Sequence, residues 1–290
     1  VVAFGVHALV WTGALDRAAL AHAVDRTRAA GYDVLEIPLL DPFAFDLAAA
    51  REVLERHPLR VTASLGLSAA TDISGEGPAA RDAGERLLLA AVDVIAELGG
   101  AHLVGVIYGA LAKHARAATV TGRAGGIGVL RRVADHAHGR GVTLGLEIVN
   151  RYETNVVNTA RQGLAYLDEI DRPNVVLHLD TYHMNIEEPD MMTPVLEAGP
   201  RLGYVHIGES HRGYLGSGTV DFGAFYRALA AIGYDGHVVF ESFSSAVVDP
   251  VLSNALAVWR NLWNDSDDLA RHALATMRAG MRAVESVQMH

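Results

Sequence analysis

Residues 141–180 read GVTLGLEIVNRYETNVVNTARQGLAYLDEIDRPNVVLHLD, and this stretch decides the fold. Two short runs of β-branched and aliphatic residues, 142–148 and 174–180, flank a segment at 159–170 whose apolar residues recur with helical spacing. Short continuous apolar runs suit strands buried on both faces, and strand, helix, strand in that order is a parallel βαβ unit.

The alternation continues outward in both directions. Apolar runs recur near 2–7, 33–37, 59–65, 101–107, 202–207 and 237–241, eight in all. Helical patterns lie between them at 15–30, 45–56, 78–98, 123–140, 190–199, 221–231 and 249–263. Gly31, Gly99, Gly141 and Gly233 follow helical stretches, where a left-handed C-cap is favoured. Asp16, Asp46, Thr159 and Asp221 stand where helix N-caps are needed. Eight such units in 290 residues predict an α/β fold of the (β/α)8 TIM barrel class, in preference to an open doubly wound sheet. The expected layout is a single catalytic barrel domain over 1–263 and an extra C-terminal helix over 264–290. The connections 67–80 and 108–122 follow strands and so belong to the catalytic face of such a barrel.

Composition narrows the function. Half of the residues are hydrophobic, which excludes a mainly disordered chain. With 24 basic and 34 acidic residues the net charge is −10, a poor match for nucleic acid or an anionic membrane. The absence of cysteine excludes disulfides, zinc knuckles, iron–sulfur clusters and a thiol nucleophile. No apolar run approaches the ~18 residues of a membrane span. The opening VVAFGVHALVW lacks the basic region of a secretory leader, so a soluble cytoplasmic chain is expected. There is no dinucleotide fingerprint and no serine elbow, and GRAGGIG at 122–128 lacks the Lys and Ser/Thr of a phosphate-binding loop.

The informative residues end the apolar runs. Glu147, Asp180, His206 and Glu241 close the fifth, sixth, seventh and eighth. In a closed barrel adjacent strand ends converge, so these four side chains can meet. Singly, each has a bland reading as a helix cap or salt-bridge partner; four on consecutive strands do not. Three buried carboxylates repel one another unless a cation sits among them. Three carboxylates and one imidazole suit one divalent ion, Mn²⁺, Co²⁺ or Mg²⁺, with open water positions. Glu153, His183 and Arg212 follow these ligands by three to six residues, on loops that would rim the pocket and offer donors and acceptors to hydroxyls. His7 can reach the pocket from the first strand. Trp11, Tyr108 and Phe243 are candidates for its apolar walls, and His178 for a group supporting the ligands from behind.

LEIVNRYETNVVNT (146–159), HLDTYHMNIEE (178–188), VHIGESHRGYLGSG (205–218) and FESF (240–243) closely resemble the ketose 3-epimerases of D-tagatose, D-psicose (allulose) and L-ribulose, within the xylose-isomerase-like sugar isomerase/epimerase barrels. The resemblance implies a (β/α)8 barrel with Mn²⁺ or Co²⁺ on Glu147, Asp180, His206 and Glu241. It implies that Glu147 and Glu241 double as acid and base, and that Glu153, His183 and Arg212 hold a small ketose near O1, O2 and O3. It also implies a homodimer or homotetramer. The first half departs from relatives: GVHALVW carries histidine where aromatics are common, and GVIYGAL lacks a tryptophan some relatives have.

The implied chemistry is physically coherent. Moving the C3 proton of a ketose needs a Lewis acid for the enediolate and two carboxylates on opposite faces of C3. By the resemblance, Glu241 takes the proton from the D-fructose-type epimer and Glu147 from its C3 epimer. The alternative is an aldose–ketose isomerase on the same metal-dependent barrel, exchanging protons between C1 and C2. A nuclease reading is opposed by the net charge, and a non-catalytic sugar-binding barrel would be indifferent to chelation.

Overall fold

Each of the eight apolar runs forms a strand, and each strand pairs in parallel with the next. The computed structural model describes residues 2–248 and 250–288. The strands are β1 (Ala3–His7), β2 (Val34–Pro38), β3 (Arg60–Ser64), β4 (His102–Gly105), β5 (Thr143–Ile148), β6 (Val175–Asp180), β7 (Leu202–Ile207) and β8 (His237–Phe240). β8 pairs back onto β1 from Ala3↔His237 to Val6↔Phe240, closing the barrel and excluding an open sheet.

Around it run α1 (Arg17–Ala30), α2 (Leu47–Arg56), α3 (Pro78–Glu97), α4 (Val120–Gly139), α5 (Ala160–Ile170), α6 (Thr181–Glu187), α7 (Thr193–Ala198), α8 (Phe222–Ala231), α9 (Pro250–Ala255) and α10 (Ser266–Gln288). Asp16, Asp46, Thr159 and Asp221 each accept backbone N–H groups in the first turn of α1, α2, α5 and α8. Gly31, which ends α1 at φ +87°, takes the left-handed conformation that a side chain would oppose.

The helix expected at 190–199 is α7, shortened to Thr193–Ala198, and an unexpected helix, α6, precedes it. α6 starts at once after β6 because Asp180, the last strand residue, caps it by accepting Tyr182 N–H at 2.8 Å. Pro194 opens α7 in its first turn, where a missing N–H costs nothing. The helix expected at 249–263 is confined to α9, and 256–263 is irregular, with Ala257 at φ +54°. Asp249, and residues 289–290 of the expected C-terminal extension, lie outside the described residues. The glycines of GRAGGIG serve packing: a Cβ on Gly122 would stand 2.1 Å from the Ser74 carbonyl oxygen.

Strand alternation divides the core. Outward residues such as Leu35, Ile37, Leu144, Leu146, Leu177 and Phe240 pack against the helices in one large cluster. The barrel interior differs. It holds a small apolar cluster, Val104, Tyr204 and Val239, beside buried Glu36, Thr62 and His178. α10 packs on α1 and α8, and Tyr32 Oη donates to the Ala270 carbonyl at 2.8 Å. Among the described residues no helix is long and apolar enough to cross a membrane.

Candidate active site

Parallel register brings the strand ends into step. Asp180 pairs with His206 and Glu147 with His178, while Glu241 follows β8 and donates its N–H to the Ile207 carbonyl at 3.1 Å. Glu147, Asp180, His206 and Glu241 therefore each point one ligand atom at a common centre, all within 4.8 Å of one another. His206 Nδ1 lies 3.5 Å from Glu147 Oε1 and 3.4 Å from Glu241 Oε1. All four side chains are buried.

The electrostatics call for a cation. Burial pushes Asp180 up to about 8; Glu241 and Glu147 add to the rise and Arg212 opposes it. Burial likewise raises Glu147. Burial acts to raise Glu241 too, but His206, Arg212 and His7 outweigh it and hold that carboxyl below its usual range. Burial would depress His206, yet Glu36 and Glu241 carry it well above the usual imidazole range. Protons thus supply positive charge that a divalent ion would otherwise supply. Asp180 Oδ2 and His206 Nδ1 are buried with no hydrogen-bond partner, a costly state that ligation to an ion removes. The oxygen-rich donor set fits a hard or borderline divalent cation.

Next to this centre lie the rim residues. Asn150 donates to His183 Nδ1 from both its backbone N–H, at 3.2 Å, and its side-chain amide, at 2.8 Å. That leaves Nε2 facing the acidic cluster, 3.6 Å from Asp180 Oδ2, 3.8 Å from Glu147 Oε1 and 3.4 Å from Arg212 Nη2. The same Asn150 amide donates to Glu153 Oε1 at 2.9 Å. Arg212 donates from Nη1 to Glu241 Oε2 at 2.5 Å, and its guanidinium lies over the rings of Tyr182 and Phe243, 3.9 and 4.8 Å from their centroids. Arg212 has φ +59°, a strained backbone for a side-chain-bearing residue. Its N–H bonds the Glu209 carbonyl at 2.8 Å, and its carbonyl accepts the Ser242 hydroxyl.

These groups stand at one side of a cavity of about 260 Å³ lined also by His7, Ser64, Leu67, Val106, Leu111 and Phe243. A larger recess, about 730 Å³, opens near Asp33, Arg51 and Arg60, away from the acidic cluster, and brings together no comparable donor set. Of the residues singled out from sequence, His7, Glu153, His183, Arg212 and Phe243 line the small cavity. Tyr108 does not: it is fully buried behind β5, donating to the Glu147 carbonyl at 2.7 Å and facing Tyr166. Trp11 is also turned away, its indole N–H on Thr27 Oγ1 at 3.0 Å. His178 points inward as strand alternation requires, its ring 4.2 Å from that of His206.

Three residues were missed by the sequence reading. Asn150 orients His183, Ser64 meets His7 Nε2 at 3.0 Å, and Glu36 meets His206 Nε2 at 2.9 Å. A signal existed for Glu36: it is the one charge inside the apolar strand VLEIP, residues 34–38.

A family profile described as xylose isomerase-like TIM barrel matches residues 24–280. The chain is 55% identical over 286 residues to a ketose 3-epimerase of Arthrobacter globiformis, covering 99% of each. It is 56% identical over 271 residues to an L-ribulose 3-epimerase of Methylomonas sp., covering 93% of this chain and 95% of the other. The crystal structure of a D-allulose 3-epimerase from Methylomonas sp. in complex with D-allulose superposes with a TM-score of 0.94 at 54% identity, covering 96% of both chains. The chain belongs to the xylose isomerase-like TIM barrels and, within them, to the ketose 3-epimerases, isomerases that invert free ketoses at C3.

Proposed function

We propose that Glu147 and Glu241 are the two acid/base residues of this epimerisation and that, with Asp180 and His206, they also hold one divalent ion. The observation that carries the reading is the convergence of these four buried groups within 4.8 Å, two of them with orphaned polar atoms. When bound, the ion acts as a Lewis acid that stabilises negative charge next to the ketose carbonyl. The side chains do the rest. Glu241, kept ionised by Arg212 at 2.5 Å, removes the C3 proton of the D-fructose-type epimer. Glu147, raised by burial, gives a proton to the opposite face; the roles exchange in reverse. His183, Arg212 and Glu153 orient the oxygens around C1 to C3.

The substrates proposed are the D-fructose and D-psicose (allulose) pair, with D-tagatose and L-ribulose as further ketoses. Mn²⁺ or Co²⁺ is proposed as the resident ion, before Mg²⁺; the mixed carboxylate and imidazole set supports this. A homodimer or homotetramer is proposed as the assembled form, supported by the exposure of Trp259 and Phe43. The cytoplasm as its compartment, and the division into a barrel at 1–263 and a helical extension at 264–290, are likewise proposals.

The test is exchange in D₂O with Mn²⁺, followed by NMR. Deuterium at C3 of D-fructose is expected, and deuterium at C1 instead would mark an aldose–ketose isomerase. Glu147→Gln and Glu241→Gln should each lower turnover by about 10³-fold. Near wild-type epimerisation by either, with the ion present, would overturn the assignment.

A further inference from the structure

Glu36 is a fourth buried carboxylate close to the ligand cluster, and nothing in the epimerisation step uses it. It sits on β2, across the barrel from β7, and is completely buried. Both of its oxygens converge on one atom, His206 Nε2, at 3.0 and 2.9 Å. Oε2 also accepts the Tyr204 hydroxyl at 2.6 Å, and that hydroxyl meets Thr62 Oγ1 at 2.7 Å. His7 Nε2 stands 3.5 Å from Oε1. Donors from β1 and β7 thus surround the carboxylate, and β3 joins through Thr62, so its position is fixed by three other strands.

An ionised carboxylate only accepts hydrogen bonds. Facing it, His206 must carry a proton on Nε2. The other ring nitrogen, Nδ1, is the atom that lies 3.5 Å from Glu147 and 3.4 Å from Glu241 with no hydrogen-bond partner of its own. If satisfying Tyr204 were the only need, a neutral acceptor would serve at lower desolvation cost. A carboxylate aimed with both oxygens at the back of a ligand imidazole does something a neutral group cannot: it excludes the tautomer whose N–H would point into the ligand cluster.

We propose that Glu36 is a positioning residue for the metal centre, locking the His206 proton on Nε2 so that Nδ1 presents its lone pair to the ion. The proposal rests on the reading of Glu147, Asp180, His206 and Glu241 as ligands, and the experiment keeps the two apart. Mn²⁺ binding to the chelator-stripped full chain is measured without substrate, by calorimetry or by the free-ion electron paramagnetic resonance signal. The wild type, Asp180→Asn, Glu36→Gln, Glu36→Asp and Tyr204→Phe are compared. Glutamine offers His206 either an oxygen or an amide donor and so permits the wrong tautomer. Glu36→Gln is expected to raise the Mn²⁺ Kd by about 10- to 100-fold. Turnover lost at limiting Mn²⁺ should be regained as Mn²⁺ is raised. Glu36→Asp keeps the charge but withdraws it from Nε2 and should weaken binding by about 3- to 10-fold; it also covers the case in which the glutamine variant fails to fold. Tyr204→Phe leaves the carboxylate on His206 and should change the Kd by less than about threefold.

Glu36→Gln or Glu36→Asp binding Mn²⁺ as tightly as the wild type while Asp180→Asn loses it would overturn the role of Glu36 alone. A lower melting temperature of the metal-free variant with an unchanged Kd would overturn it as well, since a merely structural role predicts that pattern. Undiminished binding by Asp180→Asn would instead overturn the ligand reading beneath it.

Discussion

The two halves of the cavity wall are built from the same repeating unit and do different work. Glu147, Asp180, His206 and Glu241 stand at the C-terminal ends of β5 to β8, helix α6 adds His183, and the loops after β5 and β7 add Glu153 and Arg212. Strands β1 to β4 and their loops line the same cavity with Leu9, Pro38, Leu65, Leu67 and Val106, relieved by His7 and Ser64. One half holds groups that can move a proton; the other holds mainly shape. The difference is chemically apt. The reacting atoms at C1 to C3 are common to all ketoses, whereas the remaining carbons vary from one to another. An apolar wall also keeps the local dielectric low, which strengthens every charge interaction on the facing side.

The largest expected effect is on the charged half. Asp180→Asn removes one of the three carboxylates, and Mn²⁺ affinity should fall by at least ~100-fold, with turnover at limiting Mn²⁺ falling in proportion. Stripping the wild type with a chelator should abolish epimerisation, and Mn²⁺ should restore it. Because an ion binding only the folded chain stabilises it by mass action, a Mn²⁺ concentration 100 times its Kd should add about 2.7 kcal/mol, visible as a higher melting temperature. Full turnover after exhaustive chelation would remove the distinction between the halves.

A smaller loss is expected at the boundary of the reacting groups. Arg212 pairs with Glu241 and lies over two aromatic rings. Arg212→Lys keeps the charge but loses the planar fork and the stacking, so kcat/KM should fall by about 10- to 100-fold. Steady-state kinetics at saturating Mn²⁺ checks this; a change of less than twofold would mean that charge alone suffices there.

The same division governs what the sequence reveals. An acid or imidazole closing an apolar run stands out, and parallel pairing in a closed barrel leaves the four strand ends little choice but to meet. Glu36 was harder to read because it lies inside its strand, and only the ladder geometry sets it behind His206. Asn150 looks like an ordinary loop residue until His183 is found beside it. Tyr108 was named as a wall candidate because it is an aromatic near a strand end, and the backbone there turns it away. β4 stops at Gly105, whose φ of +113° turns the chain where a Cβ would meet the Leu65 carbonyl oxygen at 2.4 Å, and the residues beyond no longer alternate. α6 was missed because its cap, Asp180, was already read as a strand end and a candidate ligand; Asp180 both closes β6 and caps α6.

The apolar half should respond more mildly, and in binding rather than turnover. Ser64→Ala removes the hydroxyl that meets His7 Nε2 at 3.0 Å and leaves the charged half intact. Its expected effect is a change in KM of about two- to fivefold, different for D-psicose and L-ribulose, with kcat held within about twofold; a polar contact in a pocket has about this reach. A kcat loss as large as that of Arg212→Lys, for both sugars, would show that the wall takes part in the proton transfer.

Tyr108 gives the smallest effect and the sharpest control. It belongs to the loop after β4, and its hydroxyl donates to the backbone carbonyl of Glu147, not to the carboxylate. Tyr108→Phe keeps the ring against Tyr166 and deletes that one bond. The cost should be about 1 kcal/mol of stability, read by denaturant unfolding of the metal-free chain, because the carbonyl loses one buried donor. Turnover at saturating Mn²⁺ should stay within about twofold, since the carboxylate is positioned by its neighbours at the strand mouth. A tenfold fall in kcat with little change in stability would reverse this order, and would mean that the backbone of β5, held from outside the barrel, sets the reach of Glu147 toward C3.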